Sequence, residues 1–320
     1  AALESGLYTP SSLIQDEALL TLDNGATKVR NSDLKSKGSM TLTAALAWSR
    51  NIVFSKVGLS LGKDAREAAS RLYATWLRFG FGGKTGIDVS GESQGLVNDP
   101  GSRRWREIDV ANASFGQGVG TTLMQLAVAY SALVNGGVLV RPRVVDSIDG
   151  VPVPITVRGT ATTSAVSAQM VRMTAQVPKS VPFYAKLTRM DGYAYGGKTG
   201  TAQIWLKEAD GGNGAWDSDH YNFTFVGWVG KTAPEYTIAI SIRRGTPVTQ
   251  KQGSIVNRIE SFELFRRVAQ DLISVYNIPP AAAAAGRLSS PTHPGVPEPS
   301  APAMPAVGGD LPSSRSWRRS

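Results

Sequence analysis

The string Gly-Gly-Lys-Thr-Gly occurs twice in this chain, at Gly82–Gly86 and at Gly196–Gly200. A lysine beside a hydroxyl suits an anion: the ammonium supplies charge, the hydroxyl a directed hydrogen bond, and flanking glycines let a backbone come close. Read from Gly192, GYAYGGKT matches the phosphate-binding pattern G-x-x-x-x-G-K-[ST], which would put Lys198 on a nucleotide phosphate and Thr199 on magnesium. That pattern works only between a buried apolar strand and the first turn of a helix. Here PFYAKLTRMD precedes it, Gly200 is a poor helix start, and the downstream apolar run YTIAISIRRG ends in arginines rather than a metal-binding Asp. Taken as a strand, YGGKTGTAQIW instead offers Lys198, Thr199 and Thr201 beside amides that suit an extended peptide with a carboxylate, and Gly200 permits close approach. Alone, such a glycine cluster reads first as a bend between strands.

Companion motifs shift that balance. Ser49-Arg50-Asn51 falls at a break between two helical stretches, and SFGQG follows at Ser114–Gly118. Other chemistries find less support. Of the two histidines, His293 lies in a proline-rich tail, so a Ser-His-Asp triad must use His220. Asp217, Asp219 and His220 sit in DSDHYN, which reads as a solvated polar loop rather than a metal site. Arg103-Arg104-Trp105-Arg106 is a single short basic patch without the interleaved aromatics of a nucleic-acid surface, and nucleic acid is not an expected partner.

The elements that must hold these residues follow from periodicity. Thr41 to Trp48 predicts a short helix capped by Thr or Ser, and Asn51 to Leu61 resumes helical spacing until Gly62. Lys63 to Phe79 is an amphipathic helix stopped by Gly80, and Thr121 to Val134 another, ended by Asn135-Gly136-Gly137. Asn222 to Val229 and Tyr236 to Arg243 are rich in β-branched and aromatic residues about the turn KTAPE and predict an antiparallel hairpin. Ile255 to Tyr276 predicts a long helix covering one face of the sheet. The fold class is therefore α+β, an α/β sandwich with an antiparallel sheet and helices on its faces.

With 320 residues, 42% of them hydrophobic, the chain has enough apolar material for a sizeable core. The absence of cysteine excludes a disulfide scaffold, a Cys nucleophile and a thiolate metal centre. A net charge of +9 predicts anionic partners, with a wall polymer the most economical of them. No run of about 18 apolar residues occurs, and AALESGLYTP lacks the basic and apolar regions of a leader, so neither a signal peptide nor a spanning helix is expected here. From Pro279 the chain holds 9 of its 18 prolines and few aliphatic residues. This predicts a domain over residues 1–278 and a disordered tail over 279–320.

Ser49-x-Asn51, SFGQG and Lys198-Thr199-Gly200-Thr201-Ala202-Gln203, in that order, resemble the transpeptidase domain of class B penicillin-binding proteins, which cross-link peptidoglycan. The resemblance runs from Ala1 to about Pro280 and implies the penicillin-binding and β-lactamase-like fold, with no metal or organic cofactor. It implies that Ser49 relays a proton, that Asn51 holds a substrate amide, and that Lys198 and Thr199 bind the substrate carboxylate. Gly200 would allow close approach, and Thr201 would give one backbone N–H to the oxyanion hole. It also implies a stem peptide of peptidoglycan and β-lactams as ligands, division or wall-synthesis proteins as partners, and a place at the outer face of the cytoplasmic membrane or in the periplasm, reached through an N-terminal anchor missing here.

The family's nucleophilic Ser-x-x-Lys lies upstream of the Ser-x-Asn, and AALESGLYTP resembles the stretch directly after it. The expectation is that the nucleophile precedes residue 1 and that the chain alone is inactive. Ser32-Asp33-Leu34-Lys35 in a polar loop and Ser60-Leu61-Gly62-Lys63 at a helix end fit the letters without opening a helix. FGFGGKTGIDVSGE, with the first copy, resembles a non-catalytic segment of the family, which leaves Lys84 structural or exposed. Two other functions remain open: a non-catalytic wall-binding or partner-docking module, and a serine β-lactamase.

Overall fold

The computed structural model describes residues 1–206, 208, 212–246 and 260–281. Four short strands come first: β1 (Leu13–Asp16), β2 (Leu19–Leu22), β3 (Thr27–Arg30) and β4 (Gly38–Thr41). They pair as two antiparallel ribbons, β1 with β4 and β2 with β3. Helices α1 (Leu42–Ala47), α2 (Asn51–Leu59), α3 (Ala65–Arg78), α4 (Glu107–Ser114) and α5 (Leu123–Val134) follow. Strands β5 (Val138–Val140), β6 (Ser147–Ile148), β7 (Val151–Pro152) and β8 (Val157–Thr160) form two small ribbons. Helices α6 (Ser164–Ser180) and α7 (Pro182–Thr188) lead into β9 (Ala194–Leu206), β10 (Ala215–Gly230) and β11 (Tyr236–Gly245), and α8 (Ser261–Val275) closes the body.

The expected hairpin is present as β10 and β11, with Val229 opposite Tyr236, and β9 joins it to give an antiparallel sheet ordered β11-β10-β9. Period-two alternation sorts this sheet into faces. Phe225 and Val229 pack with Phe262, Phe265 and Ala269 of α8. Trp228, pointing the other way, donates its indole N–H to Thr174 Oγ1 of α6 at 3.0 Å. Lys198 pairs with Val226 and so belongs, with Trp228, to the face turned toward α6. The fold is α+β with helices on both faces of the antiparallel sheet.

Caps set the helix boundaries close to those expected. Thr41 and Asp64 accept from the third backbone N–H of α1 and α3, and Thr122 and Gln125 form a reciprocal box at the start of α5. Two segments differ from the expectation. DSDHYN is part of β10 rather than a loop, and its Asp217 is buried. The last helix begins at Ser261, with Glu260 its extended N-cap, rather than at Ile255, and the rest of the expected first turn, residues 255–259, lies outside the described residues. The disordered-tail reading likewise concerns residues outside that set from 282 onward. Its first residues, however, are tied to the body, with the Ala281 N–H donating to the Gly192 carbonyl at 2.7 Å. Residues Ala1–Ala282 form one compact unit.

Candidate active site

The break between α1 and α2 is built by a helix-terminating turn. The Arg50 N–H donates to Ala45 O at 3.0 Å and the Ser49 N–H to Leu46 O at 3.2 Å, a Schellman arrangement with Ser49 in the left-handed position at φ +53°. That position normally takes glycine, and a non-glycine residue there costs about 1–3 kcal/mol. A buried charge network holds the turn in place. Arg50 Nε donates to Asp16 Oδ2 at 2.9 Å and Nη1 to Asp33 Oδ2 at 2.8 Å, while Nη2 meets the Lys35 carbonyl. Asn31 joins the same group: its Nδ2 donates to Asp16 Oδ1 at 2.9 Å, and its Oδ1 accepts the Ile52 N–H at 3.2 Å, satisfying one orphan donor of α2. Ser32 to Lys35 therefore serves here as backbone and carboxylate support for Arg50. At the other Ser-x-x-Lys string, the Ser60 hydroxyl is engaged by Tyr8 at 2.8 Å.

Across the cleft, β9 delivers the lysine. Lys198 Nζ donates to Ser49 Oγ at 3.0 Å and to Thr199 O at 2.9 Å, with Thr199 Oγ1 at 3.3 Å. Burial pushes the Lys198 ammonium down from 10.5 to about 8. Ser49, Asn51, Lys198, Thr199, Gly200 and Thr201 all line one cleft of about 460 Å³. Asn51 Nδ2 is steadied by the Arg30 carbonyl at 3.1 Å. Phe115 and Gln117 of the SFGQG stretch contribute a further wall. Every site residue expected from sequence thus reaches this cleft. Among the described strands β9 is one of the two outer strands of its sheet, which leaves a row of backbone groups for an added strand.

The glycines permit close approach within the fold itself. A Cβ on Gly196 would lie 2.8 Å from the backbone of α6, and one on Gly197 2.4 Å from the Phe225 ring. A Cβ on Gly200 would lie 2.4 Å from Thr224 Oγ1 on the neighbouring strand. They make room for the helix and the sheet. At the first copy, Thr85 and Gly86 donate backbone N–H bonds to the Glu92 carboxylate at 2.6 and 2.9 Å, and Gln125 Nε2 donates to Gly83 O at 2.8 Å, while Lys84 is exposed. That copy is structural, as expected. Asp217 is enclosed by the backbone N–H groups of Asp219 and His220, the His220 ring and Arg244 Nη2, each within 3.2 Å.

Sequence reasoning missed the Asp16–Arg50–Asn31 network. Its members sit on separate ribbons and a helix break, so no periodic pattern links them; the only available sign was an arginine between Ser49 and Asn51.

A family model described as the penicillin binding protein transpeptidase domain matches residues 1–264. The chain is 31% identical over 87% of its length to penicillin-binding protein PbpB of Mycobacterium tuberculosis, covering 40% of that protein. It is 28% identical over 68% of its length to stage V sporulation protein D of Bacillus subtilis, covering 32% of it. The chain therefore spans about a third to two fifths of these curated relatives. Among solved structures, penicillin-binding protein 3 of Mycobacterium tuberculosis complexed with ampicillin superposes with a TM-score of 0.69 at 25% identity, over 89% of this chain and 62% of that one. On the match to residues 1–264, the chain belongs to the penicillin-binding protein transpeptidase family.

Proposed function

We propose that this chain carries the substrate-binding and proton-relay half of a D,D-transpeptidase that cross-links peptidoglycan through an acyl-enzyme. The observation that supports it most is the 3.0 Å contact between Lys198 Nζ and Ser49 Oγ, which joins residues 149 apart in sequence across a cleft. A stem peptide would lie as an added strand along the outer edge of β9, its terminal carboxylate against Lys198 and Thr199 and its amide against Asn51. With a pKa near 8, Lys198 stays charged enough near neutrality to hold a carboxylate, yet sits close enough to neutrality to pass a proton through Ser49 to the leaving amine. Thr201 N–H would be one oxyanion donor, and the nucleophile's own N–H the other.

The nucleophile itself would come from a Ser-x-x-Lys on residues preceding Ala1. In support, Ala1 and Ala2 line an apolar cavity of about 240 Å³ that shares Leu46, Phe54 and Ser114 with the cleft, so a segment seated there would present side chains to Ser49 and Lys198. Among the described residues no helix is long and apolar enough to cross a membrane. An outer-face or periplasmic location, and work alongside cell-division proteins, belong to the same proposal. FtsI of Escherichia coli, a peptidoglycan D,D-transpeptidase by name, is 35% identical over 38% of the chain.

Fluorescent penicillin tests the reading. No covalent label is expected on this chain, and label is expected once an upstream segment with Ser-x-x-Lys is joined to it. Silence of the extended protein would reject the transpeptidase in favour of a wall-binding module, and rapid hydrolysis of a chromogenic β-lactam would point to a β-lactamase.

A further inference from the structure

The basic string from Arg103 to Arg106 does not line the cleft of Ser49 and Lys198, and its first three residues wall a separate hollow of about 500 Å³. The opposite wall is the start of α3, with Asp64, Ala65 and Arg66. Packing holds the two walls together: the Trp105 ring lies in the apolar cluster of Ala68, Ala69 and Val110, which fixes Arg104 across the hollow from Arg66. The fold thus brings like charges together at a concave surface.

The positive charge there is not neutralised from within. Arg103 is engaged by Asp109 at 3.6 Å and lies over the Trp105 ring at 5.0 Å. Arg66 and Arg104 are exposed, and neither guanidinium has a hydrogen bond or ion pair among the described residues. Asp64, the only acid in the lining, caps α3 by accepting the Glu67 N–H at 2.8 Å. Glu67 in turn is held by Arg71 at 2.8 Å and by the Lys63 N–H at 3.0 Å. The cap leaves the N–H groups of Ala65 and Arg66, the first two of a helix of 14 residues, without an acceptor among the described residues. A second, independent donor is also unfilled. Trp105 is only 7% exposed, and its indole N–H has no partner, a state that costs free energy until an acceptor arrives.

Two guanidinium forks on opposite walls and the positive end of a helix offer donors from several directions, which suits a tetrahedral oxyanion better than a planar carboxylate. We infer that this hollow binds a phosphodiester of an anionic polyol-phosphate chain. Arg66 and Arg104 grip the two unesterified oxygens, the helix N–H groups add to the same charge, and the Trp105 indole gains the acceptor it lacks. A concave site takes a phosphate with its flanking polyol, whereas a bilayer presents a flat face. Because no residue of the cleft lines the hollow, a chain held there leaves Ser49 and Lys198 free.

Calorimetric titration of the full chain with oligo(glycerol phosphate), with polyglutamate of matched charge, and with vesicles of phosphatidylglycerol in phosphatidylcholine tests this. The oligophosphate is expected to bind tightest, to shift the Trp105 indole N–H resonance, and to dissociate at about 1 M salt, where the Debye length is about 3 Å. Its affinity should fall about tenfold in Arg66→Ala/Arg104→Ala. It should hold in Lys84→Ala/Lys186→Ala, which removes the same charge from exposed positions elsewhere. Equal weakening by both double variants, or polyglutamate bound as tightly as the oligophosphate, reduces the binding to the net charge of +9 and overturns the site. Unchanged affinity in Arg66→Ala/Arg104→Ala overturns it too. Vesicles bound in preference to the oligophosphate replace the polymer with a lipid headgroup, and absence of binding to every probe refutes the inference outright.

Discussion

Lys198→Met should change not the stability alone but its dependence on pH. The ammonium titrates at 10.5 when free and at about 8 in the folded chain, because the helices and β10 strip water from it. Below pH 8 it is charged in both states and the folded protein carries the whole penalty. Between pH 8 and 10.5 the unfolded chain still binds a proton that the folded chain has released, so stability rises with pH; above 10.5 the penalty is gone. The difference in pKa corresponds to about 3 kcal/mol. The variant has no such group, so wild-type stability minus that of Lys198→Met should climb by about 3 kcal/mol from pH 7 to pH 11, whatever constant offset the lost bonds to Ser49 and Thr199 contribute. Urea unfolding at several pH values measures it, and taking the difference cancels the other titrating groups. A flat difference, or one that falls with pH, would mean that the lysine is solvated and that the cleft does not hold it as described.

Two further substitutions probe the turn that carries Ser49. Asp16→Ala removes the fully buried carboxylate partner of Arg50 and leaves that guanidinium with the exposed Asp33 carboxylate and the Lys35 carbonyl; a loss of about 3–5 kcal/mol by urea unfolding is expected, against no more than about 1 kcal/mol for an exposed pair such as Arg71–Glu67. Ser49→Gly and Ser49→Ala both lose the hydroxyl that accepts from Lys198, and with it the penicillin label of the extended protein, but only glycine relieves the left-handed strain, so Ser49→Gly should be the more stable of the two by about 1 kcal/mol; equal stability would show that the φ of +53° carries no strain.

Much of this architecture was legible because it is local. The breaks at Ser49 and Gly80, the capped start of α5 and the β10–β11 hairpin are each signalled within a few residues of themselves. The site residues were legible only in combination, since neither Ser49-x-Asn51 nor Lys198-Thr199-Gly200 means much without the other. What stayed hidden is non-local. Helix α6 has a proline, Pro178, in its last turn and a mixed face, yet it packs its backbone against Gly196. The four N-terminal strands are too short for alternation to register. DSDHYN reads as a polar loop because its polar residues are visible in sequence, whereas the pairing with β9 and the Arg244 contact that bury Asp217 are not.

The two GGKTG strings show why identical letters do different work. In the first, Gly82 and Gly86 take φ of +80° and +76°, so glycine is needed there for a left-handed backbone, and the turn so formed points its N–H groups at Glu92. In the second, Gly196, Gly197 and Gly200 have no left-handed φ; they lie in a strand where any Cβ would strike α6, Phe225 or Thr224. The first string bends because a carboxylate six residues on collects its amides. The second stays extended because β10 pairs with every residue of it, and extension is what sets Lys198 on the helical face opposite Ser49. Chemistry at this lysine thus follows from strand pairing, and the same five residues without that neighbour form a turn with the lysine in solvent.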